Sequence, residues 1–409
     1  MGALREREYV MRVKAHILSA IHEREQIMAH QDSDKASETS ARRLFWASGA
    51  FYVLIAFEFF YMASPFAAYF YAVYGPGMDW LQRLGFADWT LWFFLPHIVA
   101  ETRSGLIDFA ETAGLLLFFG GLVAFAIGAF QVYRAKLRKA GEVTRGLHRH
   151  VRHPQYTALI VASLGMLLIW PRFLVLFSTV TVIFAYVALA RAEERICLRK
   201  YPGYRDYMEN TGMFLPRGWL PRPRVAIRSR WLGAALWIGA FCLAIGVTTA
   251  AAFGLRALAV SSLYTHETPE GVYLSVVSMG DGDLAEVARI ARADPAVEAA
   301  LAGLGETGAL LAYVLPTRMH VSEIPMHLPP GESFGHSAPK DREPGRFKVV
   351  FTEAEFGADG IGAGEAILAR AINKRPLMEV HVDLGDGAVE TTFPLPAEPF
   401  YADRQVPVF

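Results

Sequence analysis

Cysteine is almost missing from this chain. There are 2 in 409 residues, Cys197 and Cys242, both in or beside apolar stretches. They cannot form a disulfide framework, and Cys197 is expected to be a packed thiol. The first 43 residues lack an apolar run, which argues against a cleavable signal peptide, and the final "RQVPVF" lacks a prenylation box. A net charge is missing too, since 40 Lys and Arg balance 40 Asp and Glu. That zero hides a split. From Val132 to Arg230 there are 18 basic residues against 5 acidic, and from Tyr264 to Phe409 there are 11 against 22. The basic part sits between apolar runs, where membrane topology explains it better than a nucleic-acid partner does.

What is abundant is apolar sequence. Hydrophobic residues make up 53% of the chain, gathered in runs long enough to cross a bilayer. Residues 3–29 read as an amphipathic helix, followed by a polar linker to residue 43. Leu44–Met62, with Glu58 inside it, is expected to span. Residues 76–105 are rich in Trp and Phe but interrupted by Pro96, and read as an interfacial or re-entrant segment. Phe109–Val132 is a second span, with Asp108 and Glu111 at its start. Thr157–Ala190 is too long for one crossing and is expected to turn as a tight helical hairpin at Pro171. Trp231–Leu255 is the last span, making about five. Lys and Arg concentrate in 133–155 and 191–230, which places those loops and the N-terminus in the cytoplasm and residues 264–409 outside it.

The C-terminal part reads as an α/β domain. "VYLSVVSM" and "RFKVVFTEAEF" look like strands. "GDGDLAEVARIARADPAVEAALAGL" reads as an Asp-capped helix with a second helix restarting at Pro295. "GAGEAILARAIN" is expected to be helical, and "LMEVHVDLGDGAVETTFPL" a hairpin closed at Asp386-Gly387. His266, His320, His327 and His336 fall in this region at spacings matching no ligand motif, so no metal is expected.

The chemistry concentrates in "GLHRHVRHPQY", Gly146 to Tyr156. Pro154 suits the first position of a membrane helix, and His153 before it is pushed out of helical geometry. The helix N-terminus beside Arg149, His150, Arg152 and His153 then favours an anionic group such as a carboxylate. Across the hairpin, "ARAEERICLRKYPGYRDY" returns to the same membrane face. Glu194 can reach Arg191, whereas Glu193 has no cation at helical spacing. The two clusters should meet, offering donors, acceptors and the rings of Tyr204 and Tyr207 to a zwitterionic ligand with an aromatic base.

"EVTRGLHRHVRHPQY", the hairpin at Pro171, "RAEER" and "YPGYRDY" together resemble the core of the isoprenylcysteine carboxyl methyltransferase and phospholipid methyltransferase superfamily. The resemblance covers about residues 105–218. It implies an integral membrane enzyme using S-adenosylmethionine, with Arg152, His153, Tyr156, Glu193 and Glu194 at the cofactor. The family's usual glycine two residues after the motif tyrosine is Ala158 here, the aromatic two residues after Gly146 is His148, and a histidine found in many members is Ala140.

The expected architecture is therefore a mainly α, multi-pass helical bundle with a C-terminal α/β domain. Residues 1–43 form the N-terminal helix and linker, 44–258 the transmembrane methyltransferase domain, and 264–409 the extracytoplasmic domain. Glu193 and Arg152 are expected to serve catalysis. Arg149, His150, Arg152, His153, Tyr156, Glu193, Glu194, Tyr204 and Tyr207 are expected to bind S-adenosylmethionine. The methyl acceptor is expected to be lipophilic: a prenyl carboxylate, phospholipid amine, isoprenoid or thiol reached from the membrane lipids. Two other classes share these features. An NADPH-dependent membrane sterol or isoprenoid reductase would use a related core, and a non-catalytic receptor would sense ligands through its outer domain.

Overall fold

The structure is a computed structural model, and it describes residues 53, 56, 60, 63–66, 89–138, 144–219, 229–304, 308–356, 362–364, 366–393 and 406–409. The expected amphipathic helix at 3–29 and nearly all of the first expected span lie outside these residues. Among the described residues, three helices are long and apolar enough to cross a membrane: α1 (Gly105–Leu137), α3 (Phe173–Lys200) and α5 (Arg230–Ser261). Between them lie α2 (Pro154–Ile169) and the short α4 (Tyr204–Asn210). At 16 residues α2 reaches only about 24 Å. Five crossings are thus not established. The hairpin is present: α2 ends at Ile169 and α3 begins at Phe173, with Pro171 in the turn.

The pairing of α1 with α2 depends on glycine. Gly114, Gly121 and Gly128 of α1 are buried and recur every seven residues, so they line one face of the helix. A Cβ on Gly121 would meet Ala158 O and Ala162 N at 2.7 Å, and one on Gly165 of α2 would meet Phe118 N at 2.3 Å. With no Cβ in the way, the backbones approach closely, as small residues allow between membrane helices. Ala158, where the family has glycine, fits because Gly121 faces it.

Residues 89–104, the described part of the segment read as interfacial or re-entrant, form an irregular, largely buried strap. Phe94 N donates to Pro171 O at 2.8 Å, His97 N to Phe409 O at 3.0 Å and Ala100 N to Val276 O at 2.8 Å. One strap therefore joins the hairpin turn to the C-terminal region. Arg256, buried near the end of α5, fastens the same junction. Its guanidinium donates to the carbonyls of Phe93, Leu368 and Ala369, between the rings of Trp92 and Phe409.

The C-terminal region is a six-stranded sheet in chain order: β1 (Tyr264–Thr268), β2 (Gly271–Ser275), β3 (Ala309–Pro316), β4 (Arg346–Phe356), β5 (Ala371–Asp383) and β6 (Ala388–Phe393). All neighbours are antiparallel except β2 and β3, which are parallel and joined through α6 (Asp281–Arg292) and α7 (Pro295–Leu301). One face packs Tyr273, Leu310, Ala312 and Phe351 against α6 and α7. The other packs Leu274, Leu311 and Tyr313 against Ile98 and Val99 of the strap and Ala259 and Val260 of α5. Because both faces are covered, β2 and β3 are buried at every position.

Two local expectations need correction. The first of the paired helices is capped by Gly280, and the capping aspartate is Asp294, which accepts from Ala296 N at the start of α7. The helix expected in "GAGEAILARAIN" is limited to α8 (Ala366–Arg370). Ala371 and Asn373 instead pair with Phe356 and Glu355 of β4, so sheet hydrogen bonding overrides local helix propensity there. The hairpin at Asp386-Gly387 is as expected, with Gly387 at φ +63°.

The glycine contact gives a contrast between neighbours. Gly121→Ala should lower the melting temperature of detergent-purified protein, with an overpacking cost of about 1–3 kcal/mol. Gly120→Ala, whose added Cβ meets nothing within 4 Å, should be neutral or stabilising. Equal melting shifts would show that the α1–α2 contact is not tight.

Candidate functional site

The first turn of α2 fixes the site. His153 caps it at φ −122°, ψ 63°, outside helical geometry, and Pro154 occupies the first position as expected. The amides of Arg152 and His153 donate to the carbonyls of Gly212 and Met213 at 2.9 and 3.1 Å. This lays the segment after α4 against the cap. Gly212 is required there, because a Cβ would meet Leu215 O at 1.7 Å. The end of α1 is tied in by Gln131, which accepts from Leu147 N at 3.3 Å beside Gly146 at φ +66°.

The returning end of α3 brings Glu193 and Glu194 onto this cap. Arg152 Nε donates to Glu194 Oε1 at 2.6 Å, and its Nη1 donates to Met208 O at 3.1 Å and to Thr211 O. His153 Nε2 lies 3.3 Å from Glu194 Oε1, and its Nδ1 lies 3.4 Å from Glu193 Oε2. The Tyr156 hydroxyl donates to Glu193. Burial works against a charge on His153, but the bonds to Glu193 and Glu194 outweigh it and hold its pKa above the ordinary value. With each ring nitrogen facing a carboxylate, the imidazolium is the form that satisfies both.

The sequence predicts an Arg152 fork open to a ligand. The structure turns that fork inward, onto Glu194 and two main-chain carbonyls. In the sequence, Arg191 lies within helical reach of Glu194. Instead Arg191 stacks over Trp237 at 4.7 Å, and Glu194 pairs with Arg152 and His153. The two carboxylates differ in access. The Glu194 side chain is 8% exposed, whereas that of Glu193 is 41% exposed and faces outward. Arg149 and His150 are exposed beside the cap. Tyr204 is buried, 5.6 Å from the half-buried Tyr207 ring, whose hydroxyl donates to His148 O at 2.6 Å. His148, standing where the family has an aromatic, is buried. Burial first, and then the charge of His153, brings its pKa down to about 4, so it is neutral and packs as an aromatic would.

Sequence reasoning missed Tyr186, which is fully buried with its ring stacked 4.8 Å from Tyr156. It also missed the Met208 and Thr211 carbonyls, which no side-chain motif could reveal. An apolar groove of about 220 Å³ between α1 and α2, lined by Gly121, Ala124, Val151, Pro154, Ala158 and Val161, opens beside His150.

No curated protein and no solved structure matches the chain. The family model for phospholipid methyltransferase matches residues 111–203. That stretch runs from the first turns of α1 to the loop before α4, and it holds all the expected site residues except Tyr204 and Tyr207. The chain thus carries a phospholipid methyltransferase domain, part of the isoprenylcysteine carboxyl methyltransferase and phospholipid methyltransferase superfamily of integral membrane methyltransferases.

Proposed function

We propose that this domain transfers a methyl group from S-adenosylmethionine to a lipophilic acceptor at the membrane. The observation carrying this reading is the pair of adjacent carboxylates held by one Arg-His-Pro-x-Tyr cap, one buried and fastened, the other exposed. The donor set fits the cofactor. Glu193 can accept from an ammonium or ribose hydroxyls, and the exposed Arg149 and His150 can meet a carboxylate. When bound, S-adenosylmethionine supplies a methyl group already activated on a sulfonium. The protein's part is then orientation and exclusion of water.

Arg152 is a positioning residue in this scheme. It holds Glu194 and the Met208 and Thr211 carbonyls, and so fixes the site's floor. His153 and Tyr156 aim Glu193. A carboxylate acceptor, ionised at neutral pH, needs no base, whereas an amine or thiol would give its proton to Glu193. The apolar groove beside His150 offers a lipid-borne acceptor a lateral route, while cofactor enters from the aqueous side. The basic charge around this end supports a cytoplasmic site with the sheet on the opposite side.

Calorimetry with S-adenosylhomocysteine, run in parallel with NADPH, tests the reading. Arg152→Lys keeps the charge but cannot bridge a carboxylate and two carbonyls. Binding of S-adenosylhomocysteine should weaken tenfold or more, about 1.4 kcal/mol. Glu193→Gln should lose binding or turnover, and Arg145→Lys, exposed outside the cluster, should match wild type. NADPH binding in place of S-adenosylhomocysteine would point to a reductase, and binding of neither to a receptor. Equal affinity in wild type, Arg152→Lys and Glu193→Gln would move the site elsewhere.

Orientation has its own check. Reporters inserted between residues 138 and 144 and fused after residue 409 should report opposite sides of the membrane, the first cytoplasmic. The same sign at both would overturn the assignment.

A further inference from the structure

The far end of the helices holds a second cluster. His97 of the strap meets Glu323 and His336, both in the irregular stretch 317–345 between β3 and β4. One ligand atom from each lies within 4.8 Å of the others. His336 Nε2 is 2.9 Å from Glu323 Oε2, and His97 Nε2 is 3.7 Å from Glu323 Oε1. Tetrahedral zinc holds neighbouring ligand atoms about 3.3 Å apart. The His336–Glu323 and His97–Glu323 separations of 2.9 and 3.7 Å bracket that spacing, and with all three atoms within 4.8 Å of one another side-chain adjustments of at most about 1.5 Å would gather them around one ion.

Three further observations favour an ion over a bare hydrogen-bonded relay. His97 is 7% exposed, and among the described residues its buried Nε2 has no partner within hydrogen-bond distance, Glu323 Oε1 standing off at 3.7 Å, which is costly for a polar atom. The Glu323 carboxylate is supported from behind by Ser322 Oγ, which donates to Oε2 at 2.8 Å, a second contact of the kind that orients metal ligands. The His336 side chain is 28% exposed, leaving a way in. Glu111 on α1 also acts electrostatically on both imidazoles. Lys374 also acts on Glu323, but its ammonium donates to Pro407 O at 2.5 Å.

We propose that His97, Glu323 and His336 bind a divalent transition-metal ion of the zinc class. Two imidazoles and one carboxylate, with no thiolate, suit such an ion. Three protein ligands leave a coordination position open toward the exposed side. The ion would staple the long 317–345 segment to the strap, and through the strap to the hairpin turn. Irregular segments of that length inside compact domains are usually functional. The sequence hid the site because its ligands are separated by 225 residues on one side and 12 on the other.

Full-length protein purified in detergent, stripped with chelator and dialysed, should be titrated with zinc against a chromophoric competitor. Wild type should bind a single ion, and its melting temperature should rise with zinc concentration. Glu323→Gln and His336→Ala should bind at least tenfold more weakly, while His266→Asn, outside the cluster, should match wild type. Wild type that takes up no zinc and does not shift in melting temperature overturns the proposal, whatever the variants do. So does unchanged affinity in both cluster variants.

Discussion

Two adjacent carboxylates at the end of a membrane hairpin set the terms for the rest of this molecule. Glu194 is nearly sealed from solvent, and a buried carboxylate without a partner is not tolerated. Arg152 and His153 supply that partner, and removing one member of such a buried pair costs about 3–5 kcal/mol in general. Much of the surrounding structure serves to bring them together. The turn at Pro171 returns α3 beside the start of α2, Gly212 lets the segment after α4 lie against the cap, and the glycine face of α1 closes on α2. With Glu194 fastened inside, Glu193 is the more exposed of the two carboxylates, held at its base by Tyr156 and His153.

The two ends of the helices are not independent. Arg256 joins the strap, α8 and the last residues of the chain, and Phe94 joins the strap to the hairpin turn. Ile98 and Val99 of the strap and Ala259 and Val260 of α5 are part of the same core as β2 and β3. The sheet is therefore built on the helix ends rather than hung from them by a linker. A change in the packing of residues 317–345 would reach the hairpin turn through a few buried contacts.

How much of this could be read in the sequence depended on distance along the chain. Local rules identified the His153-Pro154 cap, the break at Pro171 and the turn at Asp386-Gly387, because each is decided by a few neighbouring residues. The meeting of Glu193 and Glu194 with the cap was also legible, since a tight hairpin has only one way to close. The inward aim of Arg152 was not legible, because its partners at Met208 and Thr211 are main-chain carbonyls. Spacing puts Arg191 within reach of Glu194, yet Trp237 on another helix holds it. Asn373 looked helical until its partner in β4 was known. The strap's path depends on contacts with Pro171, Val276 and Phe409, none of which its own composition reveals.

The shortness of α2 sets the depth of the site. A helix of 16 residues falls about 6 Å short of a hydrocarbon core about 30 Å thick. If the hairpin crosses the bilayer, it would either draw the bilayer thinner around it or hold its capped end below the headgroups, a hydrophobic mismatch with a small cost for each ångström. Either way, His153 and Glu193 would then lie close to the level where a lipid's polar atoms begin. An amphiphile diffusing in the leaflet would not have to leave the membrane to meet them. Bilayer thickness then acts as a control on access, and a thicker, sterol-rich membrane would raise the energy of presenting this end to water.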